Sequence, residues 1–302
     1  MHKLTATKRQ VLEDEGSSFA DFTDELYVHT LPSYLNFSPK MPLLLPRSPP
    51  PPIRNSFTTS ISPSVTAYPF ENGRRYHAFR AGSYLLPNDD EELERLNIVH
   101  QMVKKVLDER IFLAPLPEGF KRALDIGTGT GIWAMEMGDA YPHASIIGND
   151  LSPVQPSWVP PNVRFEVDDC ESPWAYDEPF DFVFSRYMCT SVRDWPKLLK
   201  QAFDNIKPGG FVEFQDFDML FYSEDGTLRE NSNAQRWIRM IVDANRQAGR
   251  EPSPGPKLEG WMRGAGFVNV VPKRYKVPIG PWAKDALQVG FFLSFVVVMV
   301  FF

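Results

Sequence analysis

Between Phe120 and Phe214 the chain alternates short apolar segments with helix-like segments, and this alternation constrains the fold more than any other feature. Short apolar runs bounded by turn residues are typical of strands buried on both faces of a parallel sheet. Successive strand–helix–strand units join parallel strands through right-handed crossovers. The sequence therefore predicts an α/β, Rossmann-like fold with a mostly parallel twisted sheet and helices on both faces. The predicted strands are 122–126, 144–149, 163–167, 180–184 and 211–214, and the predicted helices between them are 133–141 and 195–206.

A helix is predicted before this region, from Asn88 or Asp89 to about Asp108. Either residue is a good N-cap, and acidic residues occupy the first turn, where they complement the helix dipole. Apolar residues then recur at helical spacing from Leu93 to Leu107. We therefore expect residues 66–119 to form an N-terminal helical segment, or lid, that lies against a main domain over 120–285.

Residues 1–65 are rich in proline and serine and include four consecutive prolines, Pro49 to Pro52. Proline fixes φ and removes a backbone donor, so this composition disfavours both helix and sheet. We expect a mostly disordered tail. The alternative is a proline-rich ligand for regulatory protein partners with an SH3-like domain.

After the fifth predicted strand, helices are predicted over 234–247 and 255–264, followed by a sixth strand over 268–277. Residues 286–302 form an apolar C-terminal tail without helical or alternating polarity. Three interpretations compete for this tail: the end of a truncated reading frame, a membrane anchor near the lower length limit for a span, or a buried strand. Membrane contact through 286–302 is thus an alternative to an otherwise cytoplasmic or nuclear protein.

The charge and the cysteine content argue against two classes of function, nucleic-acid binding and metal binding. The net charge of −6 and the pI of about 5.5 argue against direct nucleic-acid binding, which needs a basic surface to replace counterions on phosphates. The two cysteines, Cys170 and Cys189, lack metal-site spacing, so we expect no metal and reduced, intracellular thiols.

The turn after the first predicted strand is rich in glycine, and this is where open α/β sheets bind nucleotides. It reads Gly127-Thr128-Gly129-Thr130-Gly131 and is preceded by Asp125. A dinucleotide-binding turn has its last glycine one position later and faces a pyrophosphate. Asp125 would repel a pyrophosphate but would attract the ammonium group of S-adenosylmethionine. The turn therefore favours S-adenosyl-L-methionine as the cofactor.

Acidic residues also follow the next two predicted strands. Asp150 is placed to accept hydrogen bonds from both ribose hydroxyls, and Asp168 or Asp169 from the adenine amine. Tyr84 and Arg80 are expected at the methionine end, with Arg80 pairing the cofactor's carboxylate. The alternative is that both only anchor the N-terminal segment. The complete set of expected cofactor contacts is Tyr84, Arg80, Asp125, Gly127, Thr128, Gly129, Gly131, Asp150, Leu151, Asp168, Asp169, Cys170 and Ser185.

Methyl transfer from a sulfonium is an in-line displacement that needs correct orientation more than proton transfer. A general base is required only if the acceptor must lose a proton. The candidates are His77, His100 and Tyr187, although a histidine on a helix is more often a packing residue and Tyr187 more naturally borders the substrate pocket.

The segments Tyr84 to Asp89, Leu124 to Trp133, Ser185 to Met188, Glu213 to Asp216 and Pro278 to Trp282 resemble fungal LaeA-like proteins within the class I methyltransferases. The resemblance covers about 68–285. It implies methyl transfer from S-adenosylmethionine to an unidentified small-molecule or protein acceptor, in secondary metabolism. It also implies a last antiparallel strand that this sequence lacks or has in altered form.

Two other functions remain open from the sequence. One is a regulator with little or no catalytic activity that keeps the cofactor pocket, as the LaeA-like resemblance suggests. The other is a nicotinamide oxidoreductase, which the glycine spacing and Asp125 disfavour.

Overall fold

The computed structural model describes residues 61–223 and 225–278. The predicted tail 1–65, except for residues 61–65, and the apolar tail 286–302 lie outside the described residues. The described chain begins with a small antiparallel hairpin of β1 (Phe70–Glu71) and β2 (Arg74–Arg75). The helix α1 (Asp90–Val106) follows, with Asp89 as its N-cap accepting from the Glu92 amide. The predicted N-terminal helix is therefore confirmed.

The main domain contains five strands that form one parallel sheet. They are β3 (Arg122–Ile126), β4 (Ser145–Asp150), β5 (Val163–Val167), β6 (Phe180–Arg186) and β7 (Ile206–Gln215), in the spatial order β5-β4-β3-β6-β7. The chain moves outward from β3 to β5 and then returns to the other side of β3. Such a reversal leaves a crevice at the carboxyl ends of the central strands, where ligands of this fold class bind.

Helices cover both faces of the sheet, with α2 (Ile132–Ala140) on one face and α3 (Trp195–Asp204) and α5 (Gly255–Ala265) on the other. The helix α4 (Asn233–Gln247) comes between β7 and α5 along the chain. Met137 of α2 packs with Ala123 on one face, and Leu198 of α3 packs with Leu124 on the other. Adjacent residues of β3 thus point to opposite cores, as the two-residue period of a strand requires. The predicted α/β Rossmann-like class is confirmed.

The strand predicted over 268–277 is wrong, because the chain forms no strand or helix there. Val268 and Val271 are 80% and 74% exposed. An apolar segment becomes a strand only when a neighbouring edge supplies hydrogen-bond partners, and 268–277 pair with none of the strands in the described part of the chain. In the described part of the chain, β7 pairs only with β6 and forms an edge of the sheet.

The β7 strand begins earlier than the predicted 211–214. Its pairing with β6 starts at Ile206 opposite Phe180 and resumes at Phe211 opposite Phe182, so residues 207–210 form an irregularity in the ladder. Within this irregularity, Gly209 has a φ of 79°, a left-handed conformation that favours glycine and accounts for the Pro-Gly-Gly sequence at this point.

Within the described ranges, none of the helices is both long and apolar enough to cross a membrane.

Candidate active site

The glycine-rich turn connects β3 to α2 and is held by the end of β4. Gly127, Gly129 and Gly131 have φ values of 65°, 55° and 78°, a left-handed conformation that strongly favours glycine. The Thr128 amide donates to the Asn149 carbonyl over 2.9 Å, and the Gly127 amide donates to Asn149 Oδ1 over 3.3 Å. The turn therefore has a fixed shape before any ligand binds.

The three glycines differ in what surrounds them. A Cβ on Gly127 would lie 2.3 Å from Met188 Sδ, and one on Gly131 would lie 2.4 Å from the Phe165 ring. A Cβ on Gly129 would meet only Leu96 Cδ1, at an ordinary 3.5 Å. A side chain at Gly131 would displace the Phe165 ring and one at Gly127 would displace only the flexible end of Met188, whereas Gly129 leaves room beside the turn.

Asp125, at the end of β3, is a buried carboxylate with 3% exposure. The Thr128 hydroxyl donates to Asp125 Oδ2 over 2.6 Å. Burial raises the pKa of Asp125 to about 7, because the charged form is poorly solvated there, while Thr128 and the charge of Arg186 act in the opposite direction. A cation placed beside Asp125 would therefore be strongly favoured.

Asp150, at the end of β4, accepts hydrogen bonds from the Gly129 amide at 2.9 Å and the Ser152 amide at 3.0 Å. Burial raises its pKa, and these backbone donors partly offset that rise. Each carboxylate oxygen accepts more than one hydrogen bond, so Asp150 can also bind a pair of hydroxyl groups. It both shapes the glycine turn and offers acceptors to a ligand.

Asp169 follows β5 and accepts from the Glu171 amide and the Ser172 hydroxyl, at 2.9 and 3.1 Å. Arg80 Nη1 lies 2.9 Å from Asp169 Oδ2. Arg80 is therefore paired at the Asp169 end of the site. Its predicted pairing with the methionine carboxylate, expected near Asp125, stays a prediction and would require this ion pair to break.

A single cavity connects these three carboxylates and is roofed by α1 and the segment before it. Twelve of the residues singled out from the sequence line it: Tyr84, His100, Asp125, Gly127, Thr128, Gly129, Asp150, Leu151, Asp168, Asp169, Cys170 and Tyr187. Four others lie outside the lining: His77, Arg80, Gly131 and Ser185. The Ser185 hydroxyl instead donates to the Ile126 carbonyl inside the sheet, over 3.3 Å.

Tyr187 and Tyr84 border the cavity as protonated phenols, because burial raises the pKa of both. Arg95 Nη1 donates to the Tyr187 hydroxyl over 3.2 Å. Arg95 also forms a buried bidentate pair with Glu92, at 2.6 and 2.8 Å. Tyr187 is therefore held in place and suited to orienting an acceptor rather than to removing its proton.

His77 is buried outside the cavity, with Nε2 lying 3.3 Å from the Arg80 carbonyl. Desolvation lowers its pKa. Its ring lies 6.2 Å from that of Tyr84, centroid to centroid. This position fits packing beneath the N-terminal segment, which was the more common role expected of a lone histidine.

Sequence reasoning missed Glu92, Asn149 and Arg186 as cavity residues. Arg186 Nε donates to Gln215 Oε1 over 2.7 Å, and its Nη2 donates to the Ile111 carbonyl over 2.8 Å. Arg186 could have been predicted from its position at the carboxyl end of β6, beside the central strand β3, because ligands of this fold class bind there.

Among residues 61–223 and 225–278, no cluster of three or more potential metal ligands occurs.

Comparison with known proteins agrees with this geometry. The family model described as a methyltransferase domain matches residues 98–271. The chain belongs to this methyltransferase family. The methyltransferase is 48% identical over 232 residues to "Methyltransferase pytC" of Aspergillus terreus, which covers 76% of this chain and 72% of that protein. The assignment as an S-adenosylmethionine-dependent methyltransferase of the LaeA-like group is thereby confirmed.

A second relative of the methyltransferase is "Secondary metabolism regulator LAE1" of Cochliobolus heterostrophus. It is 36% identical over 232 residues, which is 75% of this chain and 76% of that protein. Among solved structures, a Haloferax volcanii complex of the Trm112 activator with a putative methyltransferase matches 70% of this chain and 89% of that chain. That match has a TM-score of 0.46 at 17% identity and carries no weight for function.

Proposed function

We propose that the methyltransferase binds S-adenosylmethionine along this cavity and transfers its methyl group to a small-molecule or protein acceptor in fungal secondary metabolism. The observation that carries the proposal is the arrangement of Asp125, Asp150 and Asp169. They lie at or just after the carboxyl ends of three neighbouring parallel strands and line one cavity beside the glycine turn.

The chemistry of these side chains fits the cofactor. S-adenosylmethionine has an ammonium group, a ribose diol and an adenine amine, which are all hydrogen-bond donors, and the three carboxylates are acceptors. A dinucleotide would bring a pyrophosphate against this acidic lining and be repelled. Arg186, which lines the cavity and interacts electrostatically with Asp125, is better placed than Arg80 for the methionine carboxylate.

The bound cofactor supplies an activated methyl group on a sulfonium. The chain's own contribution is to orient the cofactor and the acceptor and to exclude water from the cavity. Leu93, Leu96 and Val99 of α1 form an apolar side of the cavity that excludes water. Tyr84 and Tyr187 add phenol hydroxyls that can position an acceptor oxygen or nitrogen. No proton transfer is assigned to either histidine candidate.

The choice between an enzyme and a regulator rests on the relatives. The relative at 48% identity is named a methyltransferase, which supports an enzyme. The second candidate is a regulator that keeps the pocket, supported by the likeness to LAE1 and by the proline-rich segment around Pro49 to Pro52. Under that candidate, the tail would bind regulatory proteins and the chain would act in the nucleus. Membrane contact through 286–302 is a further, less favoured proposal.

Isothermal titration calorimetry with S-adenosylhomocysteine and with NAD tests the cofactor. Heat released only with S-adenosylhomocysteine is expected, and heat released only with NAD would refute the proposal. Metabolite profiles of a deletion strain and its parent then test the acceptor. Loss of one methylated product, with its unmethylated precursor accumulating, supports the enzyme, whereas coordinated loss of many unrelated products supports the regulator.

A further inference from the structure

Residues 76–87 form a covering loop whose two ends meet. The Asn88 amide donates to the Arg75 carbonyl over 2.7 Å, and the Arg74 guanidinium donates to both oxygens of Asp89 at 2.7 and 3.0 Å. Loops closed in this way are compact and are frequently functional. Ser83, Tyr84 and Pro87 of the covering loop line the cofactor cavity.

The tip of the covering loop is held by a residue far away in sequence. Arg250 follows α4 and is only 3% exposed. Its Nη2 donates to the Ser83 carbonyl over 2.5 Å and lies 3.4 Å from the Gly82 carbonyl. Arg193 Nη2 adds a second donor to the Gly82 carbonyl, also at 3.4 Å.

The same guanidinium also holds a second segment that lines the cavity. Arg250 Nη1 donates to the carbonyl of Ser191, and Ser191 lines the cavity in the segment that follows β6. Arg250 itself does not line the cavity. One buried cation therefore connects the covering loop to the segment that carries Tyr187.

Packing alone does not explain this arrangement. Burial lowers the pKa of Arg250, and the nearby Arg193 lowers it further, so the site makes the charged form less favourable. Its Nε is buried without a hydrogen-bond partner. A planar guanidinium can nevertheless bridge two backbone segments at once, which a lysine ammonium on a flexible chain does less well.

We propose that Arg250 is a positioning residue that holds the covering loop, and through it Tyr84, over the bound cofactor, and so slows cofactor release. The inference rests on the proposed cofactor site. It adds that the residence time of the cofactor depends on a side chain outside the cavity.

The test is a double-mutant cycle on the dissociation rate of S-adenosylhomocysteine from the full-length protein, measured by stopped-flow displacement. Arg250→Met keeps the length of the side chain but removes its donors, and we expect dissociation to be faster by about tenfold, the equivalent of one strong hydrogen bond. Tyr84→Ala should give an increase of similar size. The double variant should dissociate no faster than Tyr84→Ala alone, because both changes act on the same contact.

Two control variants distinguish a specific effect of Arg250 on the dissociation rate from a general loss of structure. Arg246→Gln changes an exposed arginine on the neighbouring turn and should leave the dissociation rate unchanged. Arg250→Lys keeps the charge and should fall between the wild type and Arg250→Met. It also provides a folded variant if Arg250→Met does not fold.

The outcomes separate the two proposals. Absence of S-adenosylhomocysteine binding by the wild-type protein would overturn the proposed cofactor site and this inference with it. Normal wild-type binding with an unchanged dissociation rate in Arg250→Met, or in Arg250→Lys if the first does not fold, would overturn the role of Arg250 alone. Rate increases that multiply in the double variant would also overturn it, since Arg250 would then act independently of Tyr84.

Discussion

Arg186 Nη1 lies 3.0 Å from His100 Nδ1 inside the cofactor cavity. An arginine is always a donor, so Nδ1 must be the unprotonated nitrogen, and the proton of the neutral ring resides on Nε2. That nitrogen lies 3.3 Å from Glu136 Oε2. The nitrogen with a lone pair is therefore already used by Arg186, and the other lies beside the carboxylate of Glu136 without a well-aligned hydrogen bond.

We predict that His100 is a neutral structural side chain and not the general base. Burial lowers its pKa, so the ring should stay neutral below its ordinary pKa of about 6.5. Nitrogen-15 NMR of labelled histidines should show an unprotonated Nδ1 that does not titrate between pH 8 and its ordinary pKa of about 6.5. A His100 signal that titrates near its ordinary pKa, with the proton on Nδ1, would contradict this assignment.

Gly129→Val should abolish detectable binding of S-adenosylhomocysteine. The new side chain would be strained at a φ of 55° and would project beside the turn, where Cβ itself meets only Leu96. Gly226→Val is the matched control, because Gly226 also has a positive φ, of 74°, but lies in an exposed segment with nothing within 4 Å. Both variants carry similar backbone strain, and only the first should lose the ligand by calorimetry. Equal affinities in the two variants would remove the glycine turn from the site.

Asp150→Asn should weaken S-adenosylhomocysteine binding by roughly 1.5–3 kcal/mol, the range for hydrogen bonds to a charged group. The amide oxygen can accept from only one of the two backbone donors, and the NH2 group would face the other, so the melting temperature should also fall. Asp150→Ala removes the acceptors of both the Gly129 and Ser152 amides and should lower stability as well as affinity. A lower melting temperature with normal affinity in Asp150→Asn would make this residue purely structural.

The affinity for S-adenosylhomocysteine should rise with pH through neutrality. The pKa of Asp125 is raised to about 7, so at lower pH the carboxyl is largely protonated and must lose its proton to pair with the ligand's ammonium. Below about pH 7 the affinity should therefore fall by up to about tenfold for each pH unit, and above it the affinity should level off. Calorimetry in several buffers should detect the released proton. Asp125→Asn should bind weakly, without this pH dependence, and an identical pH profile in that variant would assign the effect to another group.

Much of the architecture could be predicted because it depends on local patterns. The strands of the parallel sheet are apolar runs separated by amphipathic helices, and such periodicity is visible within a few residues. The order of strands also brings their carboxyl ends together, so Asp125, Asp150 and Asp169 could be assigned to one site before their positions were known. The glycine turn was recognisable because positive φ angles restrict the residue type.

The tertiary structure alone decided how charged and polar side chains are paired. Arg186 contacts His100 across 86 positions of sequence, Arg95 contacts Tyr187 across 92, and Arg250 contacts Ser83 across 167. No local pattern encodes such contacts, because each depends on where separate elements of the chain meet in space. For the same reason the segment 268–277 has strand-like residues but forms no strand: its propensity is local, whereas the hydrogen bonds that would make it a strand need a partner edge.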